Sequence, residues 1–170
     1  MLKRRDVLAA GVVLPMATQA ALAKPATASI PLVGAWSLID AMTVQTDGQT
    51  GPWDDHSRPY KGLIVYGADG MMSVQIATAR APMPSDGDLK KLTAEQQLAY
   101  LHSYYAYYGR YEFDPARSVV THFVETSLDP TETGIVYRRS VKLAGDIVTL
   151  TTLEPNDASG SHNVLSWRRL

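Results

Sequence analysis

The chain has 170 residues, with 16 lysines and arginines against 17 aspartates and glutamates, and it contains no cysteine. A formal net charge of −1 argues against nucleic acid as a partner, because surfaces that bind nucleic acid are strongly basic. The absence of cysteine excludes disulfides, thiol catalysis and thiolate metal sites, so packing alone must stabilise the fold.

The first residues have the layout of a secretory signal peptide. A basic start that includes Arg4 and Arg5 is followed by an apolar run over 7–14 and by small residues that end at Ala23. The arginine pair resembles the twin-arginine export motif of bacteria. The apolar run is shorter than the roughly 20 residues that cross a bilayer, so no membrane span should remain after cleavage. We expect cleavage after Ala23 and a periplasmic or secreted protein.

The signal peptide therefore covers residues 1–23, and a short flexible segment is expected over 24–31. The remaining residues, 32–170, form one domain of ordinary size with its own core.

From Leu32 onward, apolar residues recur mostly with period two between turn signals, which is the pattern of half-buried strands. Eight strands are predicted, over residues 33–46, 60–67, 71–79, 104–114, 118–128, 134–144, 146–154 and 161–169. Gly70 and Gly145 suit tight hairpin turns, because glycine tolerates positive φ. Such an antiparallel meander removes its exposed edges by closing into a barrel, whose interior can hold one small ligand.

One short helix interrupts the meander between the third and fourth strands. Thr93 and Gln96 have the capping-box spacing, and Leu98 and Leu101 follow at helical spacing, which predicts a helix near 93–102. The predicted fold class is therefore all-β, an eight-stranded antiparallel up-and-down barrel with one inserted helix.

A tyrosine-rich segment lies on the fourth predicted strand. Alternation along 104–114 places Tyr105, Tyr107 and Tyr111 on the inward face, with Gly109 either bending the strand or leaving room beside them. Two interpretations stay open. The phenols either fill the core and find internal hydrogen-bond partners, or they line a ligand site.

The same alternation sends His122, Tyr137 and Arg139 inward on the next two strands. A lone inward histidine is either a hydrogen-bonded core residue or, beside phenols, a proton-transfer group. A buried Arg139 needs an anion, supplied either by Asp40, which parity also places inward, or by a ligand carboxylate or enolate. Together with the three inward tyrosines, these residues form the predicted ligand-binding set, and no catalytic residue is assigned. Trp53, on a predicted loop, either rims the barrel mouth or folds back onto the barrel.

Short motifs along the chain resemble, in order, the lipocalin-like domain of bacterial and fungal proteins. They cover nearly the whole chain after the signal: LVGAW at 32–36, GLIVY at 62–66, AYYGRY at 106–111 and LSWRR at 165–169. The resemblance implies that Arg169 packs over Trp36 and plugs the closed end of the barrel. It also implies a carrier of small hydrophobic molecules, although such domains include cofactor-free isomerases and cyclases, so it does not decide between these functions.

Other chemistries lack their motifs. The four histidines are scattered, and the chain has no nucleotide-binding loop, dinucleotide fingerprint or Gly-x-Ser-x-Gly elbow, so we predict neither a metal nor a cofactor. The favoured hypothesis is an exported barrel that binds a small, largely hydrophobic molecule. The rival is a cofactor-independent isomerase or cyclase in which His122 or a tyrosine moves a proton while Arg139 stabilises negative charge. A filled structural barrel is the third hypothesis, and the sequence leaves the oligomeric state open.

Overall fold

The computed structural model describes residues 31–56, 58–80, 83, 87–156 and 158–170. The predicted signal peptide lies outside these described residues, as does the segment that follows it, except for its last residue.

In the described part of the chain, strands with alternating burial form one antiparallel sheet. They are β1 (Gly34–Val44), β2 (Thr50–Pro52), β3 (Lys61–Tyr66), β4 (Met71–Ala77), β5 (Tyr104–Asp114), β6 (Val119–Ser127), β7 (Val136–Ala144), β8 (Ile147–Thr152) and β9 (His162–Arg169). Neighbours follow the order β2-β1-β3-β4-β5-β6-β7-β8-β9, and β1 also pairs with β9, which closes eight of the strands into a barrel. The prediction of an all-β, closed antiparallel barrel of eight strands is confirmed.

The two tight hairpin turns agree with the prediction, whereas one short strand was not predicted. Gly70 and Gly145 have φ of 84° and 62°, as expected for the two tight hairpins. The short strand β2, which pairs with the end of β1, was not predicted. Three residues are too few to show an alternation of apolar and polar side chains.

The helix α1 (Ala94–His102) lies between β4 and β5 in the chain. Thr93 accepts a hydrogen bond from the backbone of Gln96, whose side chain accepts one from the backbone of Thr93 in return, so two unpaired helix donors are satisfied. None of the residues of α1 is buried, and Leu98 is 51% exposed. Among the described residues, no helix has both the length and the apolar character needed to cross a membrane.

One end of the barrel is closed by a tryptophan and an arginine. Trp36 is fully buried, and its indole Nε1 donates a hydrogen bond of 2.8 Å to the carbonyl of Leu32. The Arg169 guanidinium carbon lies 4.0 Å from the centre of a Trp36 ring. Arg169 also donates to the carbonyls of Pro31 and Val33, at 2.6 Å and 2.8 Å, which fixes the segment before β1 across this end. The pairing of Trp36 with Arg169 that the family resemblance implied is confirmed.

A bulge in β1 reverses the predicted orientation of Asp40. The register between β1 and β9 shifts between Leu38 and Asp40, so Ala41 rather than Asp40 is buried. Asp40 instead forms an ion pair with Arg58 on the outside of the barrel. The expectation that Asp40 faces inward is therefore wrong, because one inserted residue moves the following side chains to the opposite face. Of the two alternatives for Arg139, the pair with Asp40 is excluded.

A second irregularity lies at Gly109. The register between β5 and β6 shifts between Tyr108 and Gly109. A Cβ atom at Gly109 would lie only 1.9 Å from the carbonyl oxygen of Phe123, so the backbone of β6 fills the space that a side chain would need. Gly109 therefore permits a close approach of two strands and leaves no room beside the tyrosines.

Candidate ligand-binding cavity

The barrel contains a cavity of about 790 Å³. Its lining comes from strands β3 to β9, together with the end of α1 and the segments between strands. Part of the lining is apolar and buried, and consists of Ile64, Val74, Ile76, Leu150 and Leu165. These side chains occupy alternate positions of their strands, so strand parity is the reason that they meet inside the barrel.

Aromatic side chains form one wall of the cavity. The Tyr105 ring packs edge to face against Trp53, with centroids 5.4 Å apart, and against Tyr107 at 5.6 Å. Tyr137 continues the series at 5.9 Å from Tyr107. Trp53 belongs to the 3-10 turn after β2, and it is both buried and part of the cavity lining, so the loop tryptophan folds back onto the barrel. Such edge-to-face contacts hold the rings in fixed positions.

His122 lies at the inner end of this wall, between two phenols. Its Nδ1 is 2.7 Å from the Tyr107 hydroxyl, and its Nε2 is 2.8 Å from the hydroxyl of Tyr66. The histidine is fully buried, and burial, with a further contribution from Arg139, holds its pKa well below the usual value, so the imidazole is neutral. Burial likewise raises the pKa of Tyr66 and of Tyr107, so both phenols keep their protons.

Arg139 brings a positive charge into the cavity. Among the described residues, its buried Nη1 has no hydrogen-bond partner, and no carboxylate forms an ion pair with it. Its guanidinium carbon lies 5.6 Å from the centre of the Tyr137 ring. The guanidinium also opposes the effect of burial on the pKa of Tyr107, which places the two groups near each other. Arginine stays protonated, so this charge is permanent.

Glu132 contributes the opposite charge nearer the mouth. It lies in the 3-10 turn between β6 and β7 and accepts hydrogen bonds from the Tyr137 hydroxyl at 2.9 Å and the Ser127 hydroxyl at 2.6 Å. Burial and the neighbouring Glu132 raise the pKa of Tyr137, so this phenol also remains a donor. Both oxygens of Glu132 are engaged by these hydroxyls, so the carboxylate is held beside the aromatic wall.

Five of the six predicted ligand-binding residues meet in this cavity: Tyr105, Tyr107, His122, Tyr137 and Arg139. Tyr111 is buried but does not belong to the lining. Its ring packs 4.8 Å from that of Tyr66, and its hydroxyl donates to the carbonyl of Gly67 at 2.9 Å. Parity gives the face on which Tyr111 lies but not its depth, and Tyr111 lies deeper than the cavity.

Sequence reasoning did not include Tyr66 or Glu132 in the site. Tyr66 follows Gly62 and Ile64 on one face of β3, so the alternation of that strand carried a signal for its inward position. Glu132 lies in a 3-10 turn, where no periodicity indicates the direction of a side chain.

Two comparisons show which known proteins this chain is similar to. Residues 33–170 match the family model described as a lipocalin-like domain. A protein of Aspergillus oryzae named as a 4′-hydroxy-3′-methoxypropiophenone carrier protein is 31% identical over 107 residues. That alignment covers 58% of this chain and 96% of the fungal protein.

Proposed function

Because the chain belongs to the lipocalin-like domain family, we propose that it binds a small, largely apolar aromatic molecule inside the barrel and acts as its carrier. The observation that carries this proposal is the cavity of about 790 Å³ with buried apolar side chains in its lining and a wall of four aromatic side chains. Its size falls in the range of roughly 300–1,000 Å³ that is typical of small-molecule sites. The few polar groups that converge on it would orient the ligand.

The ligand named for the fungal relative is an aromatic ketone with a hydroxyl and a methoxy group. We propose that the ligand of this chain belongs to the same broad class of small oxygenated aromatic molecules. The aromatic wall supports a flat ring, because Trp53, Tyr105 and Tyr107 present ring faces and edges for stacking.

We also propose that the carrier works outside the cytoplasm. This rests on the signal-like residues 1–23 and on the twin-arginine-like pair within them. Intact-mass measurement of the exported protein should find a chain that starts at Lys24. Retention of residues 1–23 would contradict the proposal, and unchanged export after replacing both Arg4 and Arg5 by lysine would point to the general secretory route.

The alternative of an isomerase or cyclase needs a base that can reach the ligand. Both ring nitrogens of His122 are engaged by phenols, and burial lowers its pKa, while the pKa values of the neighbouring phenols are raised. These shifts weaken both the base and the acid that proton transfer would use. The arrangement therefore favours binding over catalysis.

The direct test is to purify the protein gently, extract any bound molecule and identify it by mass spectrometry. In parallel, calorimetry should measure the Kd for 4′-hydroxy-3′-methoxypropiophenone. We expect Tyr105→Ala to weaken binding by at least about fivefold, because truncating a central aromatic contact commonly costs about 1 kcal/mol or more. Tyr108→Ala is the matched control, since Tyr108 lies on the outer face of the same strand and is 46% exposed. A protein that yields no ligand and binds no aromatic probe would be a filled structural barrel.

A further inference from the structure

The cavity contains unsatisfied hydrogen-bond donors. Among the described residues, two buried side-chain nitrogens have no partner: Nη1 of Arg139 and Nε1 of Trp167. Both residues belong to the lining of the same cavity. Buried polar atoms are nearly always paired in native proteins, and both of these atoms can only donate. Their shared location therefore indicates that a ligand presents acceptor atoms to this cavity.

The charge of Arg139 indicates that at least one of those acceptors is negatively charged. Asp40 lies outside the barrel with Arg58, and Glu132 is held by Ser127 and Tyr137. In the part of the chain that the structure describes, no carboxylate neutralises Arg139. The half-buried guanidinium is partly withdrawn from water, and an anionic group next to it offsets part of the cost of that desolvation. A neutral acceptor would satisfy the hydrogen bond but not the charge.

The hydrogens of the Tyr66–His122–Tyr107 chain supply a second donor. A neutral imidazole donates through one nitrogen and accepts through the other. The two tyrosines and the imidazole together carry three such hydrogens, but they form only two hydrogen bonds with one another. One hydroxyl hydrogen is left over. If this leftover hydrogen belonged to Tyr66, it would be fully buried, because Tyr66 is buried and does not line the cavity. Among the described residues it would then have no acceptor. If Tyr66 donates to Nε2 and Nδ1 donates to Tyr107, the hydrogen left over belongs to Tyr107, which lines the cavity.

We propose that Arg139 and Tyr107 form an oxyanion subsite that selects ligands carrying a negatively charged oxygen over their neutral counterparts. This proposal rests on the proposed function, since it names the charge of the molecule that the cavity binds. Arg139 and Tyr107 both line the cavity, so one ligand oxygen could accept a hydrogen bond from each, and Trp167 offers a third donor in the same cavity. A carboxylate, an ionised phenol and an ionised enol all carry such an oxygen. The proposal concerns this negatively charged oxygen, which all three share.

The first arm of the test compares 4-hydroxy-3-methoxybenzoate with its methyl ester by calorimetry near neutral pH. The two probes share ring, methoxy group and phenol, and differ in the charge of the carboxyl group. We expect the acid to bind the parent at least about tenfold more tightly than the ester, which corresponds to about 1.4 kcal/mol. The preference should disappear in Arg139→Met and should shrink in Tyr107→Phe.

Matched controls lie on the outer face of the same barrel. The Arg110 side chain is 70% exposed and pairs with Glu125, so Arg110→Met should keep the preference for the acid. Tyr108→Phe should keep it as well. A thermal melt of each variant shows that it is folded before its binding is measured.

The second arm distinguishes an ionised phenol from a carboxylate. 4′-Hydroxy-3′-methoxypropiophenone is titrated with the parent while the absorbance of its phenolate is followed. Growth of that absorbance in the parent, but not in Arg139→Met, would assign an ionised phenol to the subsite. A preference confined to the first arm would assign a carboxylate.

The outcomes separate this proposal from the one on which it rests. If charged and neutral probes bind equally in the parent and in Arg139→Met, and the absorbance stays unchanged, the oxyanion subsite is overturned while the cavity remains a binding site. If no probe binds and no ligand is extracted, both proposals fail.

Discussion

Replacing Arg139 by methionine should stabilise the ligand-free protein. Methionine matches the length of the arginine stem but removes its charge and the unpaired Nη1. A buried charged donor without a partner costs about 1–3 kcal/mol, and replacing buried ions by apolar side chains is often neutral or stabilising by about 1–4 kcal/mol. Because the Arg139 side chain keeps partial exposure, we expect the lower end, an increase of about 1 kcal/mol in the free energy of unfolding.

Urea denaturation of protein freed of ligand by unfolding and refolding measures this change. With an m value of about 2 kcal/mol per molar urea, the midpoint should rise by about 0.5 M while m stays the same. Arg110→Met is the control, since the loss of its exposed pair with Glu125 should change stability by less than about 0.5 kcal/mol.

Arg139→Met should lose its higher stability relative to the parent when ligand is present. A ligand that binds the native state stabilises it by RT ln(1 + [L]/Kd), and this gain shrinks as Kd rises. Saturating amounts of an anionic probe should therefore stabilise the parent more than Arg139→Met. A ligand-free Arg139→Met that is less stable than the parent by more than about 1 kcal/mol would show that the guanidinium supports the fold, and the argument from its unpaired nitrogen would then be refuted.

Three further predictions concern the scaffold, each checked by urea denaturation. Trp36→Ala should destabilise by about 3–5 kcal/mol, as truncations of fully buried aromatic side chains do, and a mutant as stable as the parent would rule out the plug. Gly109→Ala should destabilise by about 3 kcal/mol, because the new Cβ atom would lie 1.9 Å from the Phe123 carbonyl oxygen, and an unchanged midpoint would mean that β6 shifts freely. As the pH is lowered below about 6.5, the free energy of unfolding should decrease by up to about 1.4 kcal/mol per pH unit. The reason is that the pKa of His122 is lowered in the native state, so the unfolded state binds a proton that the native state does not. His122→Gln should flatten this slope between about pH 6.5 and 5, whereas the exposed His102→Gln should not, and equal slopes would contradict a neutral buried imidazole.

The sequence predicted the barrel because its strands obey a local rule. Each strand buries one face, so apolar and polar side chains alternate, and the alternation is visible without knowledge of the partners. On β5 this rule correctly separates buried Tyr107 and Tyr111 from exposed Tyr108. The alternation applies only to strands, and Trp53 and Glu132 lie in 3-10 turns. For this reason the sequence did not decide the position of Trp53 and did not indicate Glu132.

Depth in the barrel is a second property that alternation does not report. Tyr107 and Tyr111 lie on the same face of β5, yet one lines the cavity and the other packs beyond it against Tyr66. The difference depends on how far the aromatic side chains of neighbouring strands fill the interior. That filling is a property of the assembled barrel, so a single strand does not encode it.

The bulge in β1 decides the electrostatics of the cavity. Parity counted from Trp36 placed Asp40 inside the barrel, where it was one of two alternative partners for Arg139. One extra residue sends Asp40 to Arg58 on the surface instead, which leaves Arg139 without a carboxylate among the described residues. A bulge depends on the pairing of two strands distant in sequence, so the alternation of one strand cannot reveal it. The bulge that reverses Asp40 is thus also the feature that leaves the half-buried positive charge of Arg139 available to a ligand.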